Sequence, residues 1–196
     1  ESSIPLHIFE DRYKLLVNRS IEDRSQFGIN LSDPGIHNVG CSAEVSKVLQ
    51  RYSSGKLDVL VTGKKRYSIQ KYTEGEQLYY VGEVEYFEDI DRGFDKFLLE
   101  ECVVRYNEII ASLKDIKIDQ IDIKDLKTKT PSFLLAQKAG LTVKERQKLL
   151  EMKSENQRLT MLTYHLKKVI PMAKEAEQVN KIIRNDGYFN LKYFNP

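Results

Sequence analysis

The residues whose types and spacing could do chemistry are few. His37 and Cys41 are four residues apart, a spacing that could hold a metal ion or pair a thiol with a base. A structural zinc site closes four ligands, however, and no second pair accompanies these two. Cys41 also occupies the apolar phase of a strand pattern beside Ala43, where a free cysteine usually acts as a small buried side chain. We therefore predict no metal site, no catalytic residue and no enzyme activity.

Nucleotide and acid-base sites are equally unsupported by the sequence. A phosphate-binding loop needs glycines around a lysine so that backbone amides converge on the anion, and no glycine-rich run ending in Lys-Ser or Lys-Thr occurs. Two acidic groups remain, Glu100 with Glu101 and the series Glu83, Glu85 and Glu88. Solvated faces of a helix and a strand explain them better than catalysis does, so we expect no cofactor.

One basic cluster keeps a nucleic-acid function open. Lys64, Lys65 and Arg66 lie next to Tyr67 and close to Tyr72, a combination that can contact phosphates and stack bases. The chain carries 31 basic and 29 acidic residues, for a formal net charge of +2, and the charges are mixed along its length. Nucleic-acid domains usually concentrate cations on one face, so RNA binding by these three residues is the alternative rather than the first hypothesis.

Length and composition are those of a folded, soluble chain. The 196 residues are 41% hydrophobic and 31% charged, enough for one mid-sized domain or two small ones. No apolar run approaches the roughly 18 residues of a membrane-spanning helix. We therefore expect no membrane partner. Cys41 and Cys102 lie far apart and are expected to be reduced thiols, which suits the cytoplasm.

The pattern changes from strands to helices near residue 90. The first half shows short alternating segments separated by turns, which favours a small barrel, and we predict residues 1–90 as that subdomain. Residues 91–196 show apolar stripes at helical spacing and are predicted as a helical bundle. The features expected are strands at Gln26–Leu31, Gly40–Val48 with a bulge near Lys47, Leu57–Val61, Arg66–Gln70 and Leu78–Tyr86, and turns at Ser53–Lys56 and Gly63–Lys65.

Residues Pro5–Tyr13, with the sequence PLHIFEDRY, resemble the opening signature of the Lon protease amino-terminal, substrate-binding domain family. Further similar segments follow in the family's order: Phe27–Ile29, Gly40–Ala43, Leu57–Ile69, Leu149–Glu151 and Arg158–Leu162. The resemblance implies an α+β fold, in which a small antiparallel β-barrel like that of pseudouridine synthases and archaeosine transglycosylases (PUA-like) precedes a C-terminal α-helical bundle. Family members usually begin with a strand ahead of the Pro-Leu segment, so we expect that strand to be missing or replaced.

The resemblance also implies a function. It points to a stand-alone, non-catalytic module that binds unfolded polypeptides or partner proteins, in concert with an ATP-dependent protease that the chain itself does not contain. From position and chemistry, we predict that Arg12, Tyr52, Arg66 and Tyr72 contact the polypeptide. Besides RNA binding, an oligomerisation scaffold is a further alternative, because an apolar stripe runs from Leu159 to Ile170. Phe9 and Tyr13, four residues apart in the signature, are predicted to be core contacts.

Overall fold

The computed structural model describes residues 3–74, 78–91, 93–112 and 119–185, with the backbone alone at 173, 174 and 176–185. Apart from α1, which follows the first strand, strands come first and helices follow, as the hydrophobic periodicity indicates. In chain order the elements are β1 Ser3–Ile8, α1 Asp11–Asp23, β2 Phe27–Ser32, β3 Ile36–Arg51, β4 Leu57–Glu74, β5 Tyr80–Tyr86, α2 Lys96–Ser112, a 3-10 turn Ile123–Asp125, α3 Pro131–Ala136, α4 Val143–Glu151 and α5 Glu155–Asn185.

The chain divides into two compact units. The first comprises Glu1–Ile90 with Thr142–Lys153, and the second comprises Asp91–Leu141 with Ser154–Pro196. This division differs from the predicted boundary in one element, because α4 belongs to the first unit although it follows residue 90. The side-chain amide of Gln147 on α4 donates to the carbonyl oxygen of Val39 on β3 at 3.0 Å, a contact between distant parts of the sequence.

The strands of the first unit form one antiparallel sheet in the order β1-β4-β3-β2, with β5 also paired to β4. The first part of β4 pairs with β1, with Ser3 opposite Thr62, and its last part pairs with β5, with Tyr80 opposite Glu74. β3 pairs with both parts, so β1 and β5 follow one another along the other edge of β4. The pairings among the described residues do not close the sheet, and the barrel stays a prediction.

The strand boundaries correct one predicted turn. Gly63–Lys65 was expected to separate two strands, but β4 runs through it without interruption. The register shifts there, with Cys41 opposite Arg66 and Ala43 opposite Gly63, so the extra residue is taken up in a bulge. The bulge predicted near Lys47 is confirmed by a second register shift. The hairpin turn before β4 is also confirmed, with Gly55 at a φ of +78°.

The core of the first unit lies between α1 and the sheet. Its buried members are Ile8, Val17, Phe27, Ala43, Leu57, Val59 and Val61. The prediction that Phe9 and Tyr13 belong to this core is wrong, since their side chains are 57% and 40% exposed. Phe9 precedes the helix and stacks on His7, with ring centroids 6.0 Å apart. Tyr13 lies under the guanidinium of Arg12.

Close packing across the sheet explains why positions 28 and 40 are glycine. The Tyr67 hydroxyl donates to the side-chain oxygen of Asn30, whose amide donates to the His37 carbonyl at 2.9 Å. A Cβ at Gly28 would lie 2.3 Å from the Tyr67 hydroxyl oxygen, and one at Gly40 would lie 2.6 Å from the Asn30 amide nitrogen. Side chains at either glycine would therefore displace this polar network.

The second unit is helical, and its apolar stripes pack inward. α2 and α5 contact each other, and the predicted stripe of α5 is buried at Leu159, Leu162, Leu166 and Ile170. The stripe is thus core and not available as an interface between copies, which removes the observation behind the oligomerisation alternative. No helix within the described ranges is long and apolar enough to cross a membrane.

A buried polar network joins two helices of the second unit. Glu155 accepts hydrogen bonds from the backbone amide and the hydroxyl of Ser132, at 2.7 and 2.6 Å. The guanidinium of Arg158 donates to Glu155 at 2.6 Å and lies 4.5 Å from the centre of the Phe133 ring. Arg158 and Ser132 are 0% exposed, so this network holds the fold and is closed to ligands.

Candidate binding surface

An exposed group of aromatic side chains lies where α1 meets the end of the β4–β5 hairpin. Its members, here called the tyrosine surface, are Arg12, Tyr13, Tyr72 and Tyr80. The three tyrosines are 40–48% exposed. The rings of Tyr72 and Tyr80 meet edge to face with centroids 5.5 Å apart, and the guanidinium of Arg12 lies 4.6 Å from the centre of the Tyr13 ring. Tyr80 is close enough to Arg12 for each to influence the pKa of the other.

The strand register positions the tyrosines of the hairpin. Tyr72 lies opposite Gly82, two residues from Tyr80, so both rings project from the same face. The hairpin end is attached to the helix by Arg19 of α1, which donates a hydrogen bond to the hydroxyl of Tyr79 at 3.3 Å. The surface is therefore built from two chain segments about 60 residues apart.

Electrostatics keep the tyrosine surface in a defined charge state. Arg12 donates to the Glu10 carboxylate from two nitrogens, at 2.9 and 2.8 Å, and this contact raises its pKa. The Tyr80 hydroxyl donates to Glu74 at 2.8 Å, which raises the pKa of the phenol above its ordinary value. At neutral pH the Tyr80 phenol is consequently neutral and the Arg12 guanidinium is charged.

A second exposed aromatic group surrounds His7, and we call it the His7 cluster: His7, Phe9, Tyr52 and Asp58. The Asp58 carboxylate accepts hydrogen bonds from the His7 ring at 2.5 Å and from the Tyr52 hydroxyl at 2.7 Å. Contact with His7 first, and with Tyr52 second, lowers the pKa of Asp58. The rings of Phe9 and Tyr52 both contact the His7 ring, with centroids 6.0 Å away, and Tyr52 is 42% exposed.

Comparison with known proteins shows the family to which the chain belongs. The model of the ATP-dependent protease La (LON) substrate-binding domain matches residues 1–168. The chain belongs to this family. Its fold is similar to that of the Lon N-terminal domain protein from Xanthomonas campestris, at 21% identity and a TM-score of 0.61, over 82% of this chain and 88% of that one. It is also similar to the N-terminal domain of Mycobacterium avium complex Lon protease, at 18% identity and a TM-score of 0.62, over 85% and 90% of the two chains.

In this Lon substrate-binding domain, the residues predicted to bind polypeptide do not all lie together. Arg12 and Tyr72 are both in the tyrosine surface, and Tyr52 is in the His7 cluster. Two further members of the tyrosine surface were not among the predicted binding residues: Tyr13 was assigned to the core, and Tyr80 was given only a place in the strand Leu78–Tyr86. Neither the tyrosine surface nor the His7 cluster can be recognised in the sequence, because each depends on how the strands pair. His7 and Asp58, for example, lie opposite each other only in the register of β1 with β4.

The structure corrects the role predicted for Arg66, which was included among both the polypeptide-binding and the RNA-binding residues. Its side chain is 9% exposed, and its guanidinium donates to the carbonyl oxygens of Leu150 and Met152 at 3.0 and 2.5 Å. It also pairs with the Asp89 carboxylate at 2.5 Å. In the folded domain the guanidinium donors are therefore engaged by these three groups. Arg66 holds the end of α4 against the sheet and is not exposed to contact a ligand.

The other two residues of the basic cluster do not form a phosphate-binding patch with it. Lys64 pairs with Glu44 at 2.8 Å, and the ammonium of Lys65 lies 5.9 Å from the centre of the Tyr86 ring. With Arg66 buried, the three neighbouring cations of the sequence are directed to three separate places. The observation on which the RNA-binding alternative depended is thereby lost in this chain.

His37 and Cys41 do not converge either. His37 has one ring nitrogen 3.2 Å from the Asp33 carbonyl oxygen and the other 3.8 Å from the Glu151 carboxylate. The Cys41 thiol donates to the Ser42 carbonyl oxygen at 3.3 Å, and burial raises its pKa. Within the part of the chain that the structure describes, no three His, Cys, Asp or Glu residues are grouped to hold a metal ion.

Proposed function

We propose that this chain is a non-catalytic, polypeptide-binding module of the Lon substrate-binding family and that the tyrosine surface is its principal contact. The observation that carries the proposal is the grouping of three half-exposed tyrosines with Arg12 on one compact unit. Tyrosine and arginine give a large contact area at a modest entropic cost and are enriched among residues that dominate binding energies. A stretch of unfolded chain offers the apolar side chains and backbone carbonyls that such a surface binds.

The His7 cluster extends the same proposal. The Tyr52 hydroxyl donates its hydrogen bond to Asp58, but the rings of Tyr52 and Phe9 remain exposed beside His7. Tyr52 therefore offers an apolar ring face to a polypeptide rather than a hydrogen bond. Replacing it with phenylalanine should leave binding nearly unchanged, whereas replacing it with alanine should weaken binding.

Family membership supports a wider role. We infer that the module presents polypeptides to an ATP-dependent protease in the cytoplasm. We also infer that the sheet curls into the PUA-like barrel that the resemblance implies.

The decisive experiment titrates the protein into a fluorescently labelled, permanently unfolded polypeptide and follows anisotropy. Tyr72→Ala and Tyr80→Ala should each weaken binding about tenfold, the equivalent of about 1.4 kcal/mol. Tyr164→Ala is the matched control, since Tyr164 is 62% exposed and lies under the Lys168 ammonium, but belongs to the second unit. That variant should bind like the wild type.

Salt and competition identify the ligand class. Binding through neutral phenols should persist as salt is raised, and unlabelled single-stranded RNA should not displace the polypeptide. If affinity instead falls steeply with salt and RNA competes, the ligand is a nucleic acid and the proposal is wrong. Equal losses for Tyr72→Ala and Tyr164→Ala would also refute the tyrosine surface as the contact.

A further inference from the structure

Strand β5 is exposed to solvent to an unusual degree. All seven residues from Tyr80 to Tyr86 are exposed, so the strand has solvent on both of its faces. Each of them has a partner on β4, and the extra residue of the one register shift, Gln70, lies on β4. Within the described ranges β5 pairs with β4 alone, which leaves a regular, seven-residue edge of backbone N–H and C=O groups.

The other outer strands of the sheet are less suited to pairing with a further strand. β1 contains Pro5 in its middle, which has no N–H to donate. β2 has a register irregularity between Asn30 and Ser32. Proline and bulges are devices by which proteins protect sheet edges, and β5 contains neither.

The two faces of β5 have different chemistry. Tyr80, Val84 and Tyr86 share one face with Gly82, and this face is continuous with the tyrosine surface through the Tyr72–Tyr80 contact. The opposite face carries Val81, Glu83 and Glu85. An added strand would meet a mainly apolar face that has a tyrosine at each end, and an opposite face on which two of the three side chains are carboxylates.

The carboxylates disfavour a second copy of β5 as the added strand. Antiparallel pairing of two β5 strands over their full length places Glu83 opposite Glu83, and like charges in direct opposition destabilise a strand pair. A partner with cations at these positions gains instead. Lys71 on β4 already lies opposite Glu83, and the Gln70 amide donates to Glu85 at 3.0 Å. This face therefore carries two carboxylates and only one lysine ammonium.

We propose that an extended polypeptide segment adds to the edge of β5 as a further strand, and that the segment bound best alternates basic with apolar side chains. The backbone hydrogen bonds provide affinity for any extended chain, and the two faces of β5 select the alternation. The inference rests on the proposed polypeptide-binding function and specifies how the ligand is held and which ligand class is preferred.

Methylation of the probe's backbone tests the strand pairing. The probe is a short labelled peptide in which lysine alternates with valine, prepared unmethylated, with N-methyl groups on the lysines, or with N-methyl groups on the valines. In a strand, alternate N–H groups point to the same side, so only one of the two methylated peptides should lose affinity, by about tenfold. Equal affinity of all three peptides would overturn the proposal.

Charge reversal tests the selection. Glu85→Lys should weaken binding of the lysine-valine peptide about fivefold and strengthen binding of a matched glutamate-valine peptide. Glu83→Lys should act in the same direction, but the new lysine would lie opposite Lys71. Thermal unfolding shows whether this variant folds, and if it does not, the test uses Glu85→Lys alone. The control is Glu100→Lys, an exposed glutamate on α2, which should change neither affinity.

The outcomes separate this inference from the proposed function. Loss of unfolded-polypeptide binding in Tyr72→Ala, with no effect of methylation or charge reversal on the short peptide, would leave the function standing and overturn strand addition. Absence of binding to both probes would overturn both. Concentration-dependent dimers that exclude the peptide would show that a second copy occupies the edge, and would also overturn the inference.

Discussion

Replacing Arg66 with alanine should destabilise the protein far more than loss of a surface cation would. The guanidinium is almost fully buried, and it binds the carbonyl oxygens of Leu150 and Met152 and the carboxylate of Asp89. Leu150 lies in the last turn of α4 and Met152 directly follows the helix, where backbone carbonyls lack partners within the helix. Arg66 therefore acts as a side-chain cap that joins α4 to β4.

The expected size of the effect follows from these contacts. The side chains of Arg66 and Asp89 are 9% and 13% exposed, so solvent screens their attraction little. Removing one partner of a buried ion pair costs about 3–5 kcal/mol. Hydrogen bonds to the two carbonyls overlap with this cost, so we expect the free energy of unfolding to fall by about 4 kcal/mol for Arg66→Ala. The double variant with Asp89→Ala should cost less than the sum of the two single changes.

Urea unfolding followed by circular dichroism measures the change. The control is Lys64→Ala, two residues away, whose ion pair with Glu44 is partly exposed on both sides and should contribute less than about 1 kcal/mol. If Arg66→Ala and Lys64→Ala have the same free energy of unfolding, the buried cap described above is refuted. Additive effects of Arg66→Ala and Asp89→Ala would separately refute their pairing.

Three further changes test local features. Burial raises the pKa of Tyr67 to about 12 from its ordinary value of 10.0, so its contribution to stability is complete below pH 10 and is lost as the pH rises through 12; ultraviolet titration should show a phenol that ionises near pH 12 and is absent in Tyr67→Phe. Burial likewise raises the pKa of Cys102 to about 11, so a thiol reagent should label Cys41 first and Cys102 only on unfolding, and equal rates would contradict this. Thr142→Ala removes a capping box at the start of α4 and should lower the free energy of unfolding by about 1 kcal/mol, whereas an unchanged urea midpoint would argue against the cap.

The features that could be predicted from the sequence are those that neighbouring residues determine. The hairpin turn at Gly55 and the apolar stripe of α5 depend on spacings of a few residues and match the structure. The resemblance of Pro5–Tyr13 and the later segments to the Lon family is confirmed by the match over residues 1–168.

Only the tertiary structure decided which of the candidate residues meet solvent. Arg66 and Tyr72 lie on the same strand and have equally plausible side chains for binding, yet one is buried under α4 and the other is half-exposed beside Tyr80. Phe9 has the spacing of a core residue but stacks on His7 at the surface. The physical reason is that burial depends on strand register and on partners tens of residues away, and a one-residue bulge in β4 is enough to redirect the side chains that follow it.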